Sequence, residues 1–137
     1  MEARAVVRCA LVGLLMALSV TCMDEDMAEL IKMVHDNCGE ETGVDFGLVD
    51  KVNAGEDLMP DAKLKCYIKC IMETGGMLSD GEVDIEAVMA LLPEELSKKN
   101  EAKLRECGTQ KGADDCDTAF LTQVCWQKAA RGDYFLV

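Results

Sequence analysis

The chain has 137 residues, of which 14 are basic and 26 are acidic, and its formal net charge at pH 7 is −12. Such an acidic protein repels nucleic acid and anionic membrane surfaces, so neither is expected as a partner. The length suffices for one domain with a small hydrophobic core.

The first residues have the pattern of a secretory signal peptide. Arg4 and Arg8 precede an uncharged apolar run over residues 9–20, which is too short to span a bilayer. Processing is predicted after Cys22, with Ser19 and Thr21 as nearby alternatives.

Cleavage after Cys22 also agrees with the number of cysteines. Removing Cys9 and Cys22 leaves six of the eight, an even set that suits an oxidising compartment. We therefore predict a signal peptide over residues 1–22 and one secreted domain over residues 23–137, with no membrane-inserted segment.

Two amphipathic helices are predicted early in the secreted domain. The first spans residues 26–38 and ends at Gly39, and its apolar residues recur at helical spacing at Met27, Leu30, Ile31, Val34 and Cys38. The second runs from Asp45 to Gly55, with Phe46, Val49 and Val52 at spacings of three.

A third helix, opened by Pro60 and Asp61 and ended by Gly75 and Gly76, has three different faces. These are an apolar face (Leu64, Tyr67, Ile68, Ile71), a cysteine face (Cys66, Cys70) and a basic face (Lys65, Lys69). Two cysteines four residues apart on one helix have nearly parallel side-chain vectors, which a disulfide does not accommodate. Cys66 and Cys70 should therefore bridge to different segments.

Three more helices are predicted after a loop over residues 77–81. One is capped by Asp84 and broken by Pro93, a charged one spans residues 94–107, and the last spans residues 116–130 after a polar loop over residues 109–115. The final residues, 133–137, are too apolar for a disordered terminus. No stretch alternates with period two, so the predicted fold class is all-α.

The six remaining cysteines are separated by 27, 3, 36, 8 and 8 residues. Excluding a Cys66–Cys70 bridge still leaves most of the 15 possible pairings open. A metal site at Cys66 and Cys70 is a further alternative, which the single histidine and the oxidising compartment disfavour. Neither a metal nor another cofactor is predicted.

The cysteine spacing resembles that of the insect odorant-binding and pheromone-binding protein family. The resemblance covers all of residues 23–137 and includes Leu64-Lys65-Cys66-Tyr67, Cys125-Trp126 and Tyr134-Phe135-Leu136-Val137, which are similar to a dipteran subgroup with a short carboxy-terminal lid. It implies a six-helix, disulfide-linked bundle around an apolar ligand cavity. The bridges that it implies are Cys38–Cys70, Cys66–Cys116 and Cys107–Cys125.

The resemblance also implies which residues bind the ligand, namely Tyr67, Met72, Met89, Leu92, Phe120, Val124, Trp126 and Phe135. Plain core packing is the alternative for the methionines, whose thioethers adapt to irregular apolar shapes. The dipteran subgroup often has an aromatic residue at position 121 and a histidine at position 123. Here these are Leu121 and Gln123, so the predicted cavity is less aromatic.

His35 is the single histidine, and the resemblance implies that it latches the tail together with Tyr67 and the carboxylate of Val137. The alternative is a solvated histidine on the flank of a helix. Histidine is the one group of the three that changes charge near neutral pH. A charged His35 would attract the carboxylate, whereas the resemblance implies opening in acid, so both signs of pH dependence stay open.

An enzyme is not predicted. The sequence His35-Asp36-Asn37-Cys38 is superficially similar to the His-Asp-x-Cys of secreted phospholipases, but the tandem cysteines and the glycine-rich calcium loop of those enzymes are missing. A single histidine would also have to serve any catalytic triad.

The sequence thus predicts a secreted carrier that encloses a small hydrophobic volatile and moves it through aqueous lymph toward an olfactory receptor, as a monomer or a homodimer. The alternative from another class is a secreted interaction or defence protein whose helices bind a partner protein. An exposed apolar patch would favour that alternative.

Overall fold

The computed structural model describes residues 19–137, with side chains from residue 25 onward. Most of the predicted signal peptide lies outside these residues, and its cleavage site stays a prediction. Within the described part of the chain, no helix is both long and apolar enough to cross a membrane.

The prediction of an all-α fold is confirmed, because six helices make up most of the described chain. They are α1 (Ser19–Thr42), α2 (Phe46–Asn53), α3 (Ala62–Thr74), α4 (Ile85–Leu91), α5 (Glu94–Cys107) and α6 (Asp115–Ala129). The bounds of α5 are those predicted, and α6 begins and ends one residue before its predicted limits.

The chain divides into two compact units at a point within α1. The first unit ends at Val34, and the second comprises His35–Val137. In the first unit, Met27, Leu30 and Ile31 are exposed, although the sequence predicts them on the buried face of a helix. The second unit contains the core and the three disulfides found among the described residues.

Aspartate side chains cap four of the helices at their amino ends. Asp45, Asp61 and Asp84 each accept a hydrogen bond from a backbone N–H in the first turn of the helix that follows, and Asp114 does the same for α6. Such caps satisfy donors that have no partner within the helix. The predicted starts of α2, α3 and α4 depend on these residues and agree with the structure.

The end of α1 differs from the prediction, since the helix continues through Gly39 to Thr42. Gly39 is buried, and a Cβ atom there would overlap Cζ of the Phe46 ring. The glycine is therefore required by the close approach of the Phe46 ring. The glycine that follows the helix end is Gly43, whose φ is +67°.

The predicted loop over residues 77–81 contains a small antiparallel hairpin. Strand β1 (Leu78–Ser79) pairs with β2 (Glu82–Val83), with Leu78 opposite Val83 and Ser79 opposite Glu82. Both turn residues, Asp80 and Gly81, have positive φ, as a type I′ turn requires. The Asp-Gly pair is the sequence signal for this hairpin.

The core lies between α3 and α6. Leu64, Tyr67, Ile68 and Met72 of α3 are fully buried, and on α6 Ala119, Phe120, Thr122 and Trp126 are buried. The predicted basic face of α3 lies at the surface, where Lys65 pairs with Asp117 and Lys69 pairs with Glu73. The helix α3 therefore lies at the centre of the core.

In the described part of the chain, three disulfides join four of the helices. Cys38–Cys70 links α1 to α3, Cys66–Cys116 links α3 to α6, and Cys107–Cys125 links α5 to α6. These are the pairs that the resemblance implies, and Cys66 and Cys70 have different partners as the helix geometry requires. With their sulfur atoms bonded to each other, these cysteines cannot bind a metal as thiolates.

Candidate functional site

The last five residues of the chain, Asp133–Val137, pack back against the helices, and we call them the tail. Leu136 is buried at 5% exposure, whereas Phe135 is 48% exposed. Adjacent residues of an extended segment point to opposite sides, so only one of the two faces the core. In this conformation Leu136 takes the inward position and Phe135 lies outside the core, and the role of Phe135 in ligand binding stays a prediction.

The side chain of Asn53, at the end of α2, forms hydrogen bonds with main-chain atoms of the tail. Its Nδ2 donates to the carbonyl oxygen of Leu136 at 2.7 Å, and its Oδ1 accepts from the N–H of Leu136 at 2.8 Å. This pairing resembles one rung of a β-ladder. Asn53 was not among the predicted site residues, and no sequence pattern around it indicates this role.

The predicted latch residues His35, Tyr67 and Val137 lie together. The Tyr67 hydroxyl donates to the main-chain oxygen of Val137 at 2.6 Å and lies 2.9 Å from Nδ1 of His35. A hydroxyl has one proton, so Nδ1 of His35 must donate to the Tyr67 oxygen. Both the neutral Nδ1–H tautomer and the imidazolium supply that donor. The hydrogen bond between His35 and Tyr67 is therefore compatible with either protonation state of the ring.

Aromatic packing orients these groups. The His35 ring stacks on Phe46 with ring centroids 4.2 Å apart, and Tyr67 meets Phe46 edge-on at 5.7 Å. Burial, assisted by the negative charge of Asp36, raises the pKa of Tyr67 to about 12. Tyr67 is therefore a neutral hydrogen-bond donor, and the stacked His35 is not the solvated histidine of the alternative interpretation.

The raised pKa of Tyr67 predicts a loss of stability in alkali. An unfolded tyrosine ionises near pH ~10, whereas folded Tyr67 keeps its proton to about pH 12. The native state thus binds more protons in this window, and the free energy of unfolding should fall as the pH rises from 10 to 12. Urea unfolding across this range, with tyrosinate absorbance recorded in parallel, measures the effect.

The control for this prediction is Tyr67→Phe, which cannot ionise. Its free energy of unfolding should fall less steeply above pH 10 than that of the wild type. Some slope should remain, because burial also raises the pKa of Tyr134. Equal slopes in the two proteins would contradict the assignment.

The start of the tail is fixed by two further polar contacts. The Tyr134 hydroxyl donates to Oε1 of Gln123 on α6 at 2.7 Å. The Asp133 carboxylate accepts from Asn100 at 3.1 Å and pairs with Lys99 at 2.9 Å, and these hydrogen bonds lower the pKa of Asp133. The tail is therefore joined to α2, α3, α5 and α6.

Most of the predicted ligand-binding residues are buried or half-buried in the structure, and their role in ligand binding stays a prediction. Tyr67, Met72, Phe120 and Trp126 are buried, and Met89, Leu92 and Val124 are half-buried. Leu121 is exposed, so its difference from the dipteran subgroup does not alter the interior, whereas Gln123 is buried and engaged by Tyr134. Met89 also accepts a hydrogen bond from the Ser97 hydroxyl at 3.3 Å.

Comparison with known proteins agrees with this architecture. The model of the PBP/GOBP family matches residues 22–129. The chain belongs to the PBP/GOBP family. This member is 33% identical over 97 residues to general odorant-binding protein 69a of Drosophila melanogaster, a match that covers 70% of this chain and 66% of that protein, slightly under two thirds of its length.

The solved structures that are similar to this PBP/GOBP protein include two from flies. The medfly odorant-binding protein CcapOBP22/CcapOBP69a is 33% identical with a TM-score of 0.64, covering 74% of this chain and 88% of the other. The fatty acid binding protein OBP56a from the oral disk of the blowfly Phormia regina is 29% identical with a TM-score of 0.64, covering 79% and 95%.

Proposed function

We propose that this PBP/GOBP protein is a secreted carrier that encloses a small hydrophobic ligand in an internal cavity and delivers it through aqueous lymph toward an olfactory receptor. Family membership supports the carrier role, and the similar blowfly protein is named as a fatty acid binding protein. The observation that carries the proposal is the docked tail, which buries Leu136 and bonds to Tyr67 and Asn53.

The mechanism of such a carrier is partition. Apolar ligand surface leaves water with a gain of roughly 25 cal/mol per Å². The candidate lining residues are those of the predicted set that the structure buries or half-buries, together with Leu136, while the exposed Phe135 is left out. The tail then acts as the part of the wall that moves, because its contacts are a few hydrogen bonds and one buried side chain.

The test is displacement of a fluorescent hydrophobic probe from the secreted domain, residues 23–137, by volatile alcohols, esters and aldehydes at pH 7 and pH 5. We expect saturable micromolar binding at pH 7. Binding at pH 5 should be retained, since both protonation states of His35 support the hydrogen bond to Tyr67. Mass spectrometry must first show that the protein contains all three disulfides.

Failure to bind any probe at either pH would favour the alternative of a protein-interaction role. One observation supports that alternative, namely the exposed side chains of Met27, Leu30, Ile31 and Met33 on α1. A protein that uses this face should form complexes or homodimers that are weakened when Leu30 is replaced by a polar residue. A carrier should keep its probe affinity in the same Leu30→Ser variant.

A further inference from the structure

Trp126, the only tryptophan of the chain, has a buried polar atom with no hydrogen-bond partner in the described part of the chain. Its side chain is 6% exposed, and the indole Nε1 makes no hydrogen bond to any of the described residues. Buried N–H groups are almost always paired, because an unpaired one loses its hydration without compensation. The indole N–H therefore needs an acceptor that the described part of the chain does not supply.

The neighbours of Trp126 on α6 are already engaged. Gln123 and Gln127 lie three residues before and one residue after Trp126, so the three side chains share one side of the helix. Gln123 accepts from Tyr134 of the tail. Gln127 donates to the oxygen of Glu56 and accepts from the N–H of Leu58, which fixes the α2–α3 loop.

Among the described residues, no buried side chain carries a positive charge that could compensate an anionic acceptor. Every buried polar side chain among the described residues is neutral, namely Asn100, Thr118, Thr122, Gln123 and Gln127. A carboxylate beside Trp126 would be desolvated without a buried cation to compensate it. A carbonyl oxygen, in contrast, accepts one hydrogen bond and adds no donor that needs a partner of its own.

We propose that Trp126 Nε1 is the polar recognition group of the cavity and donates a hydrogen bond to the carbonyl oxygen of a neutral ligand, an aldehyde, ketone or ester with an apolar body. This inference rests on the proposed carrier function and narrows its ligand class. It predicts preference for a carbonyl compound over an alkene of the same shape and over a carboxylate of the same length.

The first test uses the wild-type protein and nuclear magnetic resonance. Since the chain has a single tryptophan, a ¹⁵N-labelled sample has one indole N–H signal. Titration with 2-octanone should move this signal in the direction of a stronger hydrogen bond, and 2-methyl-1-octene, which replaces the carbonyl oxygen by a methylene group, should not. Equal shifts with both compounds, or none with either bound, would overturn the proposal and leave a water molecule as the acceptor.

The second test measures affinities by probe displacement. We expect 2-octanone to bind about five- to tenfold more tightly than 2-methyl-1-octene and than octanoate, as one neutral hydrogen bond allows. In Trp126→Phe the preference for the ketone over the alkene should disappear. If this variant does not fold, 3-benzothienylalanine at position 126 keeps the shape of indole and removes the N–H.

The outcomes separate this inference from the carrier function. Equal affinities of the wild type for ketone and alkene, or a preference that persists without the N–H, would show that Trp126 is only an apolar wall while the carrier function stands. Binding of no compound and no probe would overturn the carrier function and this inference with it.

Discussion

A chain that ends at Tyr134 should bind hydrophobic ligands at pH 7 about tenfold more weakly than the full chain. The deletion removes Leu136, its two hydrogen bonds to Asn53 and the Val137 oxygen that accepts from Tyr67. If the tail covers the ligand, re-exposing about 60 Å² of apolar ligand surface costs about 1.5 kcal/mol, which corresponds to this factor. Probe displacement on the two proteins measures it.

The matched control for the deletion is Phe135→Ala, because Phe135 belongs to the deleted segment and its side chain is exposed. This variant should bind within about twofold of the wild type, and Leu136→Ala should fall between the wild type and the deletion. Unchanged affinity after the deletion would remove the tail from the binding mechanism. A large effect of Phe135→Ala would show that the tail changes conformation in the bound state, so that Phe135 faces the ligand.

Replacing both Cys66 and Cys116 by alanine should lower the free energy of unfolding by about 4 kcal/mol, the largest effect on stability that we expect from a single pair. The bridge spans 50 residues of sequence, and a disulfide restricts the unfolded chain more when it closes a longer loop. It also joins α3 to α6, which enclose the core. Urea unfolding at pH 7 with a reductant-free buffer gives the value.

The comparison variant replaces Cys107 and Cys125, whose bridge spans 18 residues. The loop-length dependence predicts a loss of about 3 kcal/mol for that pair. A larger loss for the shorter bridge would mean that local packing around Cys107, which is buried, outweighs the entropy of the unfolded chain.

Helix limits were predictable wherever a single residue decides them locally. Asp45, Asp61 and Asp84 cap their helices as predicted, since an aspartate accepts from N–H groups two or three residues away whatever the rest of the chain does. The end of α1 was not predictable in this way. Gly39 is typical of a helix end in sequence, but its role depends on Phe46, which only the folded chain brings near.

The candidate site was predictable where the family resemblance specifies residues and not where packing decides. His35, Tyr67 and Val137 meet, yet the sequence Tyr134-Phe135-Leu136-Val137 is apolar throughout and has no alternation from which an inward residue could be chosen. The hydrogen bonds from Asn53 to the tail join residues far apart in sequence, and so would any contact that gave Trp126 Nε1 the acceptor it lacks among the described residues.

The disulfides have a consequence for how a ligand enters. They link α1 to α3, α3 to α6 and α6 to α5 in one continuous covalent frame. None of these four helices can therefore move away from the helix to which it is linked unless one of the two bends. Helices α2 and α4 carry no cysteine, so only noncovalent contacts hold them, among them the hydrogen bonds of Asn53 to the tail and the ion pair between Glu86 of α4 and Arg105 of α5. We therefore expect local opening of the structure, which a ligand needs to enter, to occur at α2 or α4. Of these two helices, α2 is the one whose Asn53 holds the tail. Opening at α2 would therefore release the tail and expose the interior in one local event, without disturbing the cross-linked frame.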